Sequence, residues 1–458
     1  MQNMKKLLFI PLLVLTVGCG QGTFTEIRKE VQSDVMKKEV NASSVEKFKK
    51  IEGYKNFQNK LFNYLNLASL HFYSQQFDSS IYYFNLAESR IEEQYTRRIS
   101  QEVGSILTNQ YNVDYQSYPV EHLMIHFYKS LAFLQKNDLD GAVVEVRKLQ
   151  QKLSYLDQFS GFYKIRQTDY PFLNYYSGLV FHLTGDDNGA RVSFKLANCD
   201  YDSLKEKLPS SKQTNLHITF SGMIPELNEA YIRLLVNTDD DIYTLKVAYP
   251  VYFDAFSNPD MNESGSVTGL QKFDVAGKFE TEFNAKEKEL RPKNFARVAT
   301  KFILANGTAA VSEKMMEKRR EEKEKEKEEK KKKGEKVDDN STDGEDIFWG
   351  SLWVLGNVMK VVNDVTEKAD LRQWFLLPST VYLSVDASKP DSTHSTLFQS
   401  ERLTLDYLLP KRVRVFNEEQ YQQTIDFNFD NQDNGNDDRN RRRDERRKKK
   451  LVVAEEDE

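Results

Sequence analysis

Three stretches of this chain repeat one pattern of small and large side chains, and that pattern restricts the folds open to the first half. The first holds Tyr64, Leu67, Ala68 and His71, a polar turn at Ser74-Gln75-Gln76, then Ser80, Phe84 and Ala87. The second holds His126, Ser130 and Phe133, a turn at Lys136-Asn137-Asp138, then Ala142, Val146 and Leu149. In the third, Asn174, Gly178 and Phe181 precede Thr184-Gly185-Asp186, followed by Ala190, Phe194 and Ala197. Spacings of three and four put these residues on one face of each helix. Small residues before the turn (Ala68, Ser130, Gly178) and after it (Ser80, Ala142, Ala190) let two antiparallel helices approach closely. The large residues three or four positions away fill the remaining groove. Three helical hairpins are the expected outcome, with a plain helical bundle as the alternative.

The pattern resembles tetratricopeptide repeats, whose small-x3-aromatic-x2-small signature has this packing logic. The family's period of about 34 residues is not kept: Ala68 to Ser130 is 62 residues and Ser130 to Gly178 is 48. Extra helices, one of them over residues 92–107, are therefore expected to intervene.

From about residue 214 the period changes to that of strands. Residues 216–220, 231–236, 243–249, 273–283, 381–385, 403–407 and 413–416 are rich in β-branched and aromatic side chains. Arg291-Pro292 precedes Phe295, Val298, Ala299, Phe302 and Ile303 at helical spacing, which predicts a helix starting there. The expected fold class is α+β, with tetratricopeptide-like hairpins over 60–205 and a smaller mixed α/β domain over 206–420. Residues 19–59 read as a tether and first helix, because Val31, Val35, Val40 and Val45 are sparse. Residues 313–336 are almost wholly charged, and Glu321/Lys325, Glu326/Lys330 and Glu328/Lys332 lie four apart. A solvated single helix and a disordered segment both fit that insert, which continues to residue 346. Residues 421–458 form a polyampholyte tail expected to be disordered.

Location is read from the N-terminus. Lys5-Lys6, an apolar run over residues 7–15 and Thr16-Val17-Gly18-Cys19 form a secretory signal, 1–18, ending at a cysteine. This resembles a bacterial lipoprotein signal, in which the cysteine is acylated and becomes the mature N-terminus. Gly20 follows it, not aspartate, which points to the periplasmic face of the outer membrane. An ordinary signal peptide with a coincidental cysteine is the competing reading. Past Cys19 only Cys199 remains, so the core must form without an internal disulfide. A net charge of −5 gives no basic field for nucleic acid.

Sites are few. His122 and His126 are four apart on one helix, a spacing able to bring two imidazoles to a metal, but Leu123 stands where a metalloprotease needs glutamate. No phosphate loop, nucleophile elbow or dinucleotide fingerprint occurs. No cofactor and no metal is expected. Residues 347–362, with Trp349 and Trp353, are too short and too interrupted by Asn357 and Lys360 to span a membrane. They read as a core helix, with an interfacial helix as the alternative. Asp370, Arg372 and Trp374 alternate before a strand. Asp370 and Arg372 can pair while Trp374 caps the core, or Arg372 and Trp374 can form a binding hot spot.

With both halves in view the chain resembles an uncharacterised bacterial envelope-lipoprotein family. The residues that carry this are Ala142-Val143-Val144-Glu145-Val146-Arg147, Pro171-Phe172-Leu173-Asn174-Tyr175-Tyr176-Ser177-Gly178 and Gly222-Met223-Ile224-Pro225. Phe295-Ala296-Arg297-Val298-Ala299-Thr300-Lys301 and Ala369-Asp370-Leu371-Arg372-Gln373-Trp374-Phe375-Leu376-Leu377-Pro378 complete the set. The resemblance implies architecture and envelope location. The expected function is a lipid-anchored, non-enzymatic scaffold whose repeats present a groove to an envelope protein or peptide. The alternative is a cell-wall-processing enzyme or carbohydrate binder using the C-terminal half. If Cys19 carries the anchor, Cys19→Ser releases the protein from membranes on fractionation. Retention of that variant in the membrane fraction overturns the anchor assignment.

Overall fold

The computed structural model describes residues 24–51, 53–98, 113–159, 166–208, 214–237, 242–253, 256–257, 269–332, 368–385, 394–400, 402–408, 411–412 and 422–428. Cys19, residues 347–362, the strand expected over 413–416 and residues 429–458 of the tail lie outside them. The start of that tail, expected to be disordered from 421, is corrected: Gln422–Asn428 is a strand, its backbone paired with Tyr231–Asn237. The fold is α+β.

Helices α1 (Phe24–Met36) and α2 (Ala42–Phe48) lead into three hairpins: α3 (Lys60–Tyr73) with α4 (Phe77–Arg98), α5 (Pro119–Gln135) with α6 (Leu139–Phe159), and α7 (Pro171–Thr184) with α8 (Asp187–Leu196). The turns share one geometry. Gln75, Asn137 and Gly185 each stand five residues before the second small residue and take the left-handed conformation, with φ of 61°, 56° and 77°. In each, the next amide closes the first helix by donating to the carbonyl five residues back: Gln76 to His71 at 2.8 Å, Asp138 to Phe133 at 2.9 Å and Asp186 to Phe181 at 2.9 Å. Asp138 and Asp186 then begin the second helix, accepting from Gly141 N at 2.8 Å and Gly189 N at 2.9 Å. Ala68, Ser80, Ser130, Ala142 and Ala190 are all fully buried. Ser130 Oγ donates to the Ala142 carbonyl at 3.3 Å, and a Cβ on Gly178 would lie 2.8 Å from the Phe194 ring.

After α9 (Tyr201–Lys207) come strands β1 (Leu216–Ser221), β2 (Glu226–Asn237), β3 (Ile242–Phe253), β4 (Phe256–Ser257) and β5 (Gln271–Asp274). Helix α10 (Val275–Lys332) and strands β6 (Thr380–Val385), β7 (His394–Gln399), β8 (Leu403–Leu408), β9 (Lys411–Arg412) and β10 (Gln422–Asn428) complete the order. The principal sheet is β5-β6-β1-β8-β7, with β1 central, antiparallel to β6 and parallel to β8. A second sheet, β10-β2-β3, packs Ile232, Leu234, Leu245 and Val247 against Val298 and Phe302 of α10.

The principal sheet lies on the first helices of the hairpins. Phe72 of α3 contacts Phe220 and Phe398, Tyr128 of α5 stacks on Phe220, and Phe172 of α7 stacks on Phe273. One continuous apolar cluster therefore runs from α1 through the hairpins into the sheet. The boundary expected at 206 is a change of secondary structure, and the core crosses it. The inner face of the hairpins, where a groove for a partner was expected, is filled by the chain's own strands.

Three further expectations are corrected. The described residues of the expected tether, 24–51 and 53–59, pack against the core instead: Ile27, Val31 and Val35 form a buried stripe, and Gln32 Nε2 donates to Phe375 O at 2.9 Å. One apolar residue per turn is enough here because the stripe meets large rings, Phe24 lying 5.7 Å from Phe62 and 6.3 Å from Phe375. The strand expected over 273–283 stops at Asp274, whose Oδ1 accepts from Gly277 N at 2.8 Å and starts α10. Alternate residues there fit period two, yet Val275, Phe279 and Phe283, all buried, are spaced for a helix. That helix runs through Pro292 instead of beginning beside it. Of the two states open for 313–336, helix is found as far as Lys332. The helix expected over 92–107 overlaps the end of α4, which is described to Arg98.

The close contact at Gly178 yields a test. Gly178→Leu should cost on the order of 1–3 kcal/mol in thermal or denaturant unfolding through over-packing against Phe194. Adding Phe194→Ala should recover part of that loss. A melting temperature equal to wild type would refute the α7–α8 packing.

Candidate functional site

The most specific sequence segment, 369–378, runs between the hairpins and the sheet. Arg372 grips Asp370 with two parallel bonds, Nε to Oδ1 and Nη2 to Oδ2, both at 2.7 Å. Its Nη1 reaches Asn59 Oδ1 at 2.8 Å and its Nη2 reaches Val113 O at 2.9 Å. Trp374 is fully buried, donating from its indole to Ser69 Oγ at 2.7 Å and from its main chain to Glu121 Oε1 at 2.8 Å. Its ring meets Phe84 at 5.4 Å and Tyr128 at 5.5 Å. Arg372 is 3 % exposed. Asp370 and Arg372 thus pair, Trp374 fills the core, and neither Arg372 nor Trp374 offers a surface to a partner.

Beside this segment lies a buried acid cluster that sequence reading missed. Glu121 is the third residue of α5, and its carboxylate accepts from Tyr115 Oη at 2.7 Å, Tyr118 N at 2.9 Å and Trp374 N at 2.8 Å. Glu282 of α10 accepts from Val120 N and Tyr170 Oη, each at 2.9 Å. Both carboxyls satisfy amides at the start of α5 that lack a partner within the helix. Burial raises both, Glu282 to about 8, with the Glu121 charge adding to the rise. Burial also pushes Glu287 to about 7, against the opposing charges of Lys286 and Arg291. The local signal for Glu121 was present in sequence, since Pro119 and Glu121 are the first and third residues of the helix. Glu282 joins from 162 residues away, a pairing that no local pattern announces.

The third cluster joins α4, α5 and α6. His126 Nδ1 is 2.8 Å from Glu145 Oε2, and Lys129 Nζ is 3.0 Å from Glu88 and 2.9 Å from Glu145. Lys148 Nζ lies 3.5 Å from both carboxylates. Burial raises the Glu145 carboxyl, but the His126 hydrogen bond and the Lys129 charge outweigh it and hold the group at about 2. Glu88, His126 and Glu145 bring ligand atoms within 4.8 Å of one another, the spacing of a metal site. The chemistry does not fit a divalent ion. Lys129, 1 % exposed, already occupies the position between the carboxylates. Two carboxylates and two ammonium groups leave no net negative charge to attract a cation. His122 turns elsewhere, with Nε2 2.6 Å from Ser117 Oγ, so the two histidines do not converge. Burial raises the Cys199 thiol, the reverse of what an activated nucleophile needs.

These clusters act by holding helices together. Among the described residues, no helix is long and apolar enough to cross a membrane. Comparisons with protein-family models, curated proteins and solved structures give no match.

The acid cluster makes stability depend on pH in a defined direction. In the unfolded chain Glu282 ionises near its ordinary value of about 4.3, while in the fold it stays protonated to about 8. Its contribution therefore falls as pH rises between those values and is constant above them. Glu145 acts oppositely, its contribution being lost as pH falls below about 4. Glu282→Gln should flatten the decline between pH 5 and 8 as measured by denaturant unfolding. An unchanged slope would contradict the assignment of that proton to Glu282.

Proposed function

We propose that this chain is a lipid-anchored cell-envelope scaffold, non-enzymatic, whose tetratricopeptide-like hairpins bind a protein partner. The observation that carries this reading is the recurrence of one turn at one offset in three hairpins, at Gln75, Asn137 and Gly185. Each turn is followed by a helix that places a small residue, Ser80, Ala142 or Ala190, in the hairpin contact. Repeated hairpins of this kind stack into extended surfaces that other chains use. The signal ending at Cys19 supports anchoring by acyl chains, on the periplasmic face of the outer membrane if the cell has one.

The titratable groups favour a scaffold over a wall-processing enzyme. Glu121 and Glu282 sit among Tyr115, Tyr118 and Tyr170, as acids of a carbohydrate site would, but their oxygens are bonded to amides and phenols inside the fold. Such carboxyls cap a helix and are not free to transfer protons to a sugar.

Chemical crosslinking in intact cells, followed by detergent extraction and purification, tests the reading. The chain should be recovered with a second polypeptide in constant ratio. Recovery of the chain alone, with and without crosslinker, would overturn it.

A further inference from the structure

We propose that the outer face of the second helices of the hairpins is the partner-binding surface, and that its occupant is an amphipathic, acidic helix of another envelope protein. This rests on the scaffold reading above. With the first helices covered by the principal sheet, α4, α6 and α8 carry the remaining hairpin surface. Two residues after each small contact residue stands an exposed apolar side chain: Tyr82 after Ser80, Val144 after Ala142 and Val192 after Ala190. These residues are 59 %, 50 % and 60 % exposed. A step of two residues turns about 200° around a helix, so a residue two past the buried contact points away from it. Isolated exposed apolar residues require no explanation. Three at the same offset in successive hairpins form a row.

Charge decides what fits the row. On the C-terminal side of Val144 lies Arg147, 64 % exposed, and on that side of Val192 lies exposed Lys195. Arg147 pairs at its edge with Asp186 at 3.4 Å, while Lys148 belongs to the cluster of Glu88 and Glu145. On the opposite side Asp78 is held by Lys136, Asp187 by Lys205 and Arg191 by Asp202, and Asp140 is exposed. The C-terminal border of the row is therefore basic beside Val144 and Val192, while Asn85 takes the equivalent place beside Tyr82. A helix presenting apolar residues at positions i, i+3 or i+4, and i+7, with acidic residues along one flank, matches both the row and its border. A bilayer matches less well, since insertion uses large side chains such as Trp, Phe and Leu, and two members of the row are valines.

The test places a photo-activated crosslinking residue singly at positions 82, 144 and 192 of the full-length acylated chain in intact cells. Lys293 and Glu280, exposed on α10, serve as control positions. The expected result is one polypeptide adduct shared by the three row positions, whose crosslinked peptide, identified by mass spectrometry, is amphipathic and acidic. Arg147→Glu with Lys195→Glu should lower its yield roughly tenfold while melting stays at the wild-type temperature. If that double reversal unfolds the chain, Arg147→Gln with Lys195→Gln should still reduce the yield. Phospholipid adducts, adducts between two copies of this chain, or a yield indifferent to both pairs of substitutions would overturn the proposal. A partner adduct found only at Lys293 or Glu280 would overturn it and move binding from the hairpins to α10, leaving a partner-binding scaffold. The absence of a polypeptide adduct at every position would overturn both.

Discussion

The burial of Trp374 between the hairpins and the sheet is the interaction on which the rest of the structure depends. Its ring reaches α4 and α5, its indole nitrogen reaches Ser69 of α3, and its amide reaches Glu121. Arg372, two residues earlier, ties the same segment to Asn59 and to the carbonyl of Val113. A buried indole or guanidinium is costly unless its donors are met, so this short stretch has little freedom once the helices are in place. It in turn reaches the sheet, because Leu377 N donates to Trp374 O at 3.2 Å while Leu377 O accepts at 2.9 Å from Ile224 N, three residues past β1.

Two opposite electrostatic solutions bind the helices. The cluster of Glu88, His126, Lys129 and Glu145 neutralises buried carboxylates with cations and keeps Glu145 ionised. The cluster of Glu121 and Glu282 meets its carboxyls with amides and phenols, and Glu282 there holds its proton to about 8. Both serve packing, one by charge pairing and the other by helix capping. The same groups, seen only as residue types, would have suggested a metal centre and an acid pair.

Much of the local structure was legible in the sequence. The hairpin contacts at Ser130 and Ala142 and the turns before Asp138 and Asp186 follow from residue size and turn chemistry within one short window. Strands β1, β6 and β8 were readable from β-branched and aromatic runs. What escaped depends on distant partners. Ile27, Val31 and Val35 look too sparse for a core stripe until Phe62 and Phe375 supply the opposing surface. Phe273 through Phe283 satisfies two periods at once, and Asp274 as a helix cap decides between them. The closure of the hairpins' inner face by the chain's own strands has no local sign, since Phe72 and Phe398 meet across most of the chain.

Native-state amide exchange tests most directly the claim that hairpins and sheet form one core. The slowest amides of α3, α5, β1 and β6 should exchange with a single free energy and the same denaturant dependence, as one cooperative unit does. Exchange of the β1 and β6 amides through an opening that leaves α3 and α5 protected would contradict it, and would make the sheet a separate body resting on the helices.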